Sequence, residues 1–118
     1  MIVNVLGTEY AVDVKKYDED DAFRRDNVDG YCDGYTKRIA ICDMTTWPGF
    51  ENEQPDTCAE AQKATVRHEI VHAFMDESGL QNCAAKYDGA WCKFEECIDW
   101  IAIQGPKIYE AWRSVGAV

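Results

Sequence analysis

The residues best able to do chemistry are His68-Glu69-Ile70-Val71-His72, which hold both histidines of the 118-residue chain. Histidines at i and i+4 lie one helical turn apart on one face, so two imidazoles can reach one metal ion. Glu69 stands about 100° round the helix from His68, where it can hydrogen-bond a water without ligating the metal. Zinc would lower that water's pKa toward about 7, and Glu69 could take its proton as the water attacks a peptide carbonyl. A catalytic zinc site also needs a third protein ligand. With no third histidine, the candidates are carboxylates or a thiolate. Glu95-Glu96-Cys97-Ile98-Asp99 lies 23 positions downstream of His72. Glu95 and Asp99 share a helical face, so Glu95 is the favoured ligand, with Asp99 orienting a histidine from behind it. Glu96 is the second choice, and Cys83, Cys92 and Cys97 follow.

These residues need a scaffold. Ile2 to Leu6 and Tyr10 to Val14 alternate apolar and polar residues about Gly7-Thr8, which predicts a β-hairpin. Lys15 to Asp29 is dense in charge and reads as a surface loop or short helix, without the spacing of a calcium loop. Gly30 to Asp33 and Lys37 to Cys42 form a second strand pair around Gly34-Tyr35-Thr36, and Thr46 to Pro55 is loop. A long helix follows Pro55, with Asp56 or Thr57 as N-cap, a Thr57–Glu60 capping box, and Gly79 at its end. Gln81 to Lys93 is a mixed connection. A second helix spans about Phe94 to Gln104, Gly105-Pro106 breaks it, and Lys107 to Val115 restarts as a third.

Composition narrows the function classes. At 47% hydrophobic and 29% charged the chain suits one packed domain, residues 1–118. Twelve basic against 22 acidic residues give a net charge of −10, which repels phosphate backbones and argues against nucleic acid. No apolar run is long enough to span a membrane and no signal peptide is read at Met1, so a cytoplasmic location is expected. Six cysteines without CxxC spacing are expected to be reduced thiols, Cys32 and Cys42 being the one pair that could meet across a hairpin. Tyr31, Tyr35, Tyr87 and Tyr109 are candidate oxyanion donors, although packing is the commoner use of such residues. Trp91, Trp100 and Trp112 are expected in the core. Trp47 could line a cleft or cap a loop. Arg67 is expected to be solvated, and the Lys37 to Cys42 strand could add an extended peptide at a sheet edge.

HExxH followed by ExxxD on a second helix resembles the gluzincin metallopeptidases. More closely, His68-Glu69-Ile70-Val71-His72-Ala73-Phe74 followed by Glu77-Ser78-Gly79-Leu80, with Asp99-Trp100-Ile101-Ala102, Pro106-Lys107-Ile108 and the Gly30 to Ile41 hairpin, is similar to small phage- and prophage-borne minimal metallopeptidases. These are related in logic to the ImmA/IrrE-type intracellular peptidases. The resemblance implies a minimal zincin-like α+β fold, a small antiparallel or mixed sheet packed on the active-site helix. It further implies zinc held by His68, His72 and a glutamate, Glu69 as base, and an edge strand above the cleft. The chain lacks the helix-turn-helix of the ImmA/IrrE type and the extra oxyanion histidine of larger gluzincins. The expected function is zinc-dependent hydrolysis of a peptide or protein substrate. The alternatives are a zinc-stabilised binding or regulatory module with a vestigial protease site, and hydrolysis of a small amide.

Overall fold

The computed structural model describes residues 1–83, 86, 88–89, 91 and 94–118, with Ile98 described for its backbone alone. The chain forms strands β1 (Ile2–Val5), β2 (Thr8–Lys15), β3 (Gly30–Asp33) and β4 (Arg38–Cys42). Its helices are α1 (Asp21–Arg25), α2 (Pro55–Glu77), α3 (Leu80–Cys83) and α4 (Glu95–Ser114), and single 3₁₀ turns occupy Tyr17–Glu19 and Met44–Thr46. The architecture is α+β, a four-stranded mixed sheet packed with helices, as expected. Among the described residues no helix is long and apolar enough to cross a membrane.

Both hairpins form where alternation and turn residues place them. Leu6 (φ 53°) and Gly7 (φ 94°) both take the left-handed conformation that a two-residue hairpin turn requires. The Gly7 N–H donates to Asn4 Oδ1 at 3.0 Å. The second turn is closed by Asp33 Oδ1, which accepts from the N–H groups of Tyr35 and Thr36.

Strand order is β1-β2-β4-β3, with β1 antiparallel to β2, β2 parallel to β4 and β3 antiparallel to β4. This corrects two expectations. The Lys37 to Cys42 strand lies inside the sheet, paired on both sides, so it cannot accept an added strand; the edges are β1 and, on the side of the histidines, β3. Cys32 stands opposite Ile39, while the Cys42 N–H bonds the Asp29 carbonyl, so the two cysteines do not face each other. Cys32, Cys42, Cys58, Cys83 and Cys97 are all free thiols.

β4 is buried on both faces, as an interior strand must be. On one face Ile39 and Ile41 join Val3, Val5, Tyr10 and Val12 against Val66, Ile70, Ala73 and Phe74 of α2. On the other, Ala40 and Cys42 pack with Phe23, Met44 and Cys58. The buried positions of α2 recur at 58, 65/66, 69/70 and 73/74, a helical stripe that fixes how its other faces point. Ile108, Ala111 and Ala117, with Trp112 and Val115, close the core at the C-terminal end of the chain.

Two helix boundaries differ from expectation. α2 begins at Pro55 with Gln54 as N-cap and no side-chain cap, and its first bond runs from the Cys58 N–H to the Gln54 carbonyl. Proline at the first position needs no cap to set φ and leaves no N–H to satisfy, so the Thr57 box is dispensable. α4 runs through Gly105-Pro106 without a break. Proline removes the bond to the residue 102 carbonyl, but Ala102 is exposed and water can take that acceptor. Trp91 is 70% exposed rather than in the core, whereas Trp100 and Trp112 are partly buried against it.

Candidate metal centre and cleft

The two histidines lie on an exposed face of α2, beside the stripe that packs on the sheet and toward β3. His68 and His72 present their Nε2 atoms to each other at 3.1 Å, with ring centroids 4.8 Å apart. Two nitrogen donors at 2.0–2.1 Å from a tetrahedral zinc ion would be about 3.3 Å apart, so the pair fits two adjacent positions of one metal. Burial, joined by the charge of His68, holds the His72 imidazole below its ordinary pKa. That favours the neutral ring, which is the form that ligates metal.

Glu69 is turned inward and is only 5% exposed. Burial pushes its carboxyl up; His68 acts against that shift and Asp29 adds to it. A carboxylate that is costly to ionise holds a proton well, which suits a group meant to accept one and hand it on.

His68, Glu69 and His72 open onto a cleft of about 620 Å³. Its opposite wall is the edge strand β3 and the turn after it, contributing Gly30, Tyr31, Cys32 and Gly34. Met75 and Asp76 extend the floor along α2. Burial pushes the Cys32 thiol up to about 12, and the charges of Glu69 and Asp76 reinforce the shift, so Cys32 stays protonated at neutral pH. A second recess of about 490 Å³, lined by Met44, Trp47, Phe50 and Ala64, also reaches His68. Trp47 therefore borders this recess while packing edge-on against Tyr17.

The third ligand is not gathered in. Among the described residues no group of three His, Cys, Asp or Glu side chains is placed to hold a metal ion. Glu95, Glu96 and Asp99 are all exposed on the first turns of α4, apart from the imidazole pair. Cys83 is exposed and donates to the Gly79 carbonyl, Cys97 is half-buried, and Cys92 lies outside the described residues.

Of the candidate oxyanion donors, Tyr31 lines the cleft but its hydroxyl is engaged, and the others described lie outside the cleft lining. The Tyr31 hydroxyl donates to Asp20 Oδ2 at 2.8 Å, Tyr35 is fully exposed at the turn, Tyr109 is exposed on α4, and Tyr87 lies outside the described residues. Arg67 is neither solvated nor a substrate clamp: its guanidinium donates to the Ala117 carbonyl at 2.6 Å and ties down the C-terminus. Sequence reasoning missed Gly30, Cys32 and Asp76 as cleft residues. Asp76 had a signal, since positions 68, 72 and 76 fall on one helical face. For the strand residues the resemblance implied an edge strand above the cleft but not which strand, because which strand forms that edge is a long-range property.

At its C-terminal end α2 carries a second polar cluster. Glu77 accepts from Thr8 Oγ1 at 3.0 Å and from the Tyr10 hydroxyl at 2.7 Å, and it forms an ion pair with Lys37. Lys37 also lies 3.6 Å from Asp76. This cluster joins β2, the β3–β4 turn and α2 at the far end of the cleft. In comparisons with known proteins the chain matches no family model, no curated protein and no solved structure.

Proposed function

We propose that the protein is a zinc-dependent peptidase in which His68 and His72 hold the metal and Glu69 is the general base. The observation that carries this reading is the convergence of the two Nε2 atoms beside a buried carboxylate on the same helix, at the wall of a cleft. Zinc supplies, when bound, the Lewis acidity that makes a water acidic near neutral pH and polarises a carbonyl. Glu69 takes a proton from the attacking water and returns it to the leaving amine, while β3 lends the free backbone groups of an edge strand to an extended chain. Glu95 is assigned as the third ligand on its shared face with Asp99, and Glu96 is its competitor.

A second reading, a metal-stabilised binding module, draws support from the exposed positions of Glu95 and Glu96 and from a cleft without a free tyrosine hydroxyl among the described residues. Metal analysis separates what must be true of either reading from what is not. One zinc per chain is expected, lost in His68→Ala and in His72→Ala, with a fall in melting temperature on chelation because the metal binds the folded state. Glu95→Ala should weaken zinc binding far more than Glu96→Ala, and Asp99→Asn by roughly 10-fold to 100-fold. Stoichiometric zinc retained in both histidine variants would place the site elsewhere, and equal losses in the two glutamate variants would remove Glu95 from it.

A further inference from the structure

Gly30 begins the edge strand at the point where β3 comes closest to α2. A Cβ placed on it would stand 2.7 Å from Thr65 Cγ2, 3.1 Å from the Ala40 carbonyl oxygen and 3.1 Å from Glu69 Cγ. Gly30 does not take a left-handed φ, so its lack of a side chain serves space and not backbone conformation. Two of the three neighbours cannot yield. The Ala40 oxygen belongs to the interior strand. Thr65 is fixed by its hydroxyl, which donates to Asp29 Oδ2 at 2.7 Å and lies 3.2 Å from the Ala61 carbonyl, so rotating Cγ2 away would break a buried hydrogen bond. The remaining neighbour is the side chain of Glu69. The 2.7 Å contact with Thr65 can be relieved only by lifting β3 off α2, and the 3.1 Å contact crowds Glu69 as well, so an atom added at residue 30 changes the relation between the carboxylate and a chain lying along the strand.

We infer that Gly30 is a positioning residue, whose missing side chain sets where the Glu69 carboxylate stands relative to the edge strand. The inference rests on the peptidase reading and assigns a role within that site. Asp29 and Thr65 belong to the same device, since their hydrogen bond holds the methyl group that defines the gap.

The test is a double-mutant cycle with Gly30→Ala and Thr65→Ser, the serine keeping the hydroxyl while removing Cγ2. Kinetics and melting temperature are measured on the zinc-loaded full chain with an unfolded protein substrate. Gly30→Ala should lower kcat by roughly 10-fold to 100-fold with a much smaller change in KM, the range expected for misplacing a catalytic group by about 1 Å. With Thr65→Ser as the reference corner of the cycle, adding Gly30→Ala to it should lower kcat far less than adding Gly30→Ala to wild type. If Gly30→Ala does not fold, recovery of folding in the double variant, with kcat near that of Thr65→Ser, carries the test. An active wild type with unchanged kcat in Gly30→Ala, or a loss on adding Gly30→Ala that is as large in Thr65→Ser as in wild type, overturns the inference. A coupling seen in melting temperature but not in kcat makes Gly30 structural only and overturns it as well. A wild type that binds zinc but hydrolyses nothing is a different failure, that of the peptidase reading, and the positioning role falls with it.

Discussion

Glu69 and Glu77 are the same residue type, eight positions apart on one helix, and the fold treats them in opposite ways. Glu69 is buried, and burial holds its carboxyl above the ordinary range against the opposing influence of His68. Glu77 is surrounded by Lys37, Tyr10 and Thr8, and the Lys37 ammonium holds its carboxyl below that range. The first arrangement raises the energy of the ionised carboxylate, and the second lowers it. A helix can thus hold a proton acceptor at one end of a cleft and a structural clamp at the other. The clamp joins three elements, β2, the β3–β4 turn and α2.

The contrast can be broken by removing the clamp. Glu77→Ala removes the 2.7 Å acceptor of the Tyr10 hydroxyl, leaving it only the longer 3.4 Å contact to Asp76 Oδ2, and takes away the closer ion-pair partner of Lys37. Losing a hydrogen bond to a charged group costs about 1.5–3 kcal/mol, which chemical denaturation should register as lower stability of the metal-free protein. No change would mean that the clamp is ornamental.

A smaller effect of opposite sign is expected at Glu69. Glu69→Gln removes a carboxylate that is costly to ionise in place, so the metal-free variant should melt slightly above wild type at neutral pH. The pH dependence sharpens this further. Glu77 has a folded pKa below its ordinary 4.5, so its contribution is complete above about pH 4.5 and is lost as pH falls through the folded value. Glu69 has a folded pKa above 4.5, so its cost is absent below about pH 4.5 and complete above the raised value. The two variants should therefore diverge from wild type in opposite directions at neutral pH and approach it in acid. Parallel shifts in melting temperature would contradict the opposed environments.

What could be read from the sequence follows the range of the forces involved. The two hairpins and α2 were legible because alternation, turn residues and a long stretch free of Gly and Pro are local signals. The histidine pair was legible for the same reason: it depends on one turn of one helix. The start of α2 at Pro55 was missed because capping-box spacing competes with the equally local preference of proline for the first turn. The continuity of α4 through Pro106 was not legible, since it depends on whether the freed carbonyl at Ala102 meets solvent and on Ile108 and Ala111 packing in the core. Strand order was beyond reach as well. Hairpin signals give β1–β2 and β3–β4, but the parallel β2–β4 pairing that makes β3 an edge joins segments some 27 positions apart. The third ligand belongs with these, because an i, i+4 pair on α4 says which residues share a face but not what that face meets.

The most direct measurement is the rate at which the zinc-loaded chain and its Glu69→Gln variant, at equal metal content, hydrolyse an unfolded protein. The amide matches the carboxylate in size but cannot take a proton, so a loss of at least ~10²-fold is predicted with zinc retained. Equal rates in the two proteins, or a zinc-bound wild type that cleaves nothing, would contradict the assignment of Glu69 as the base of a peptidase.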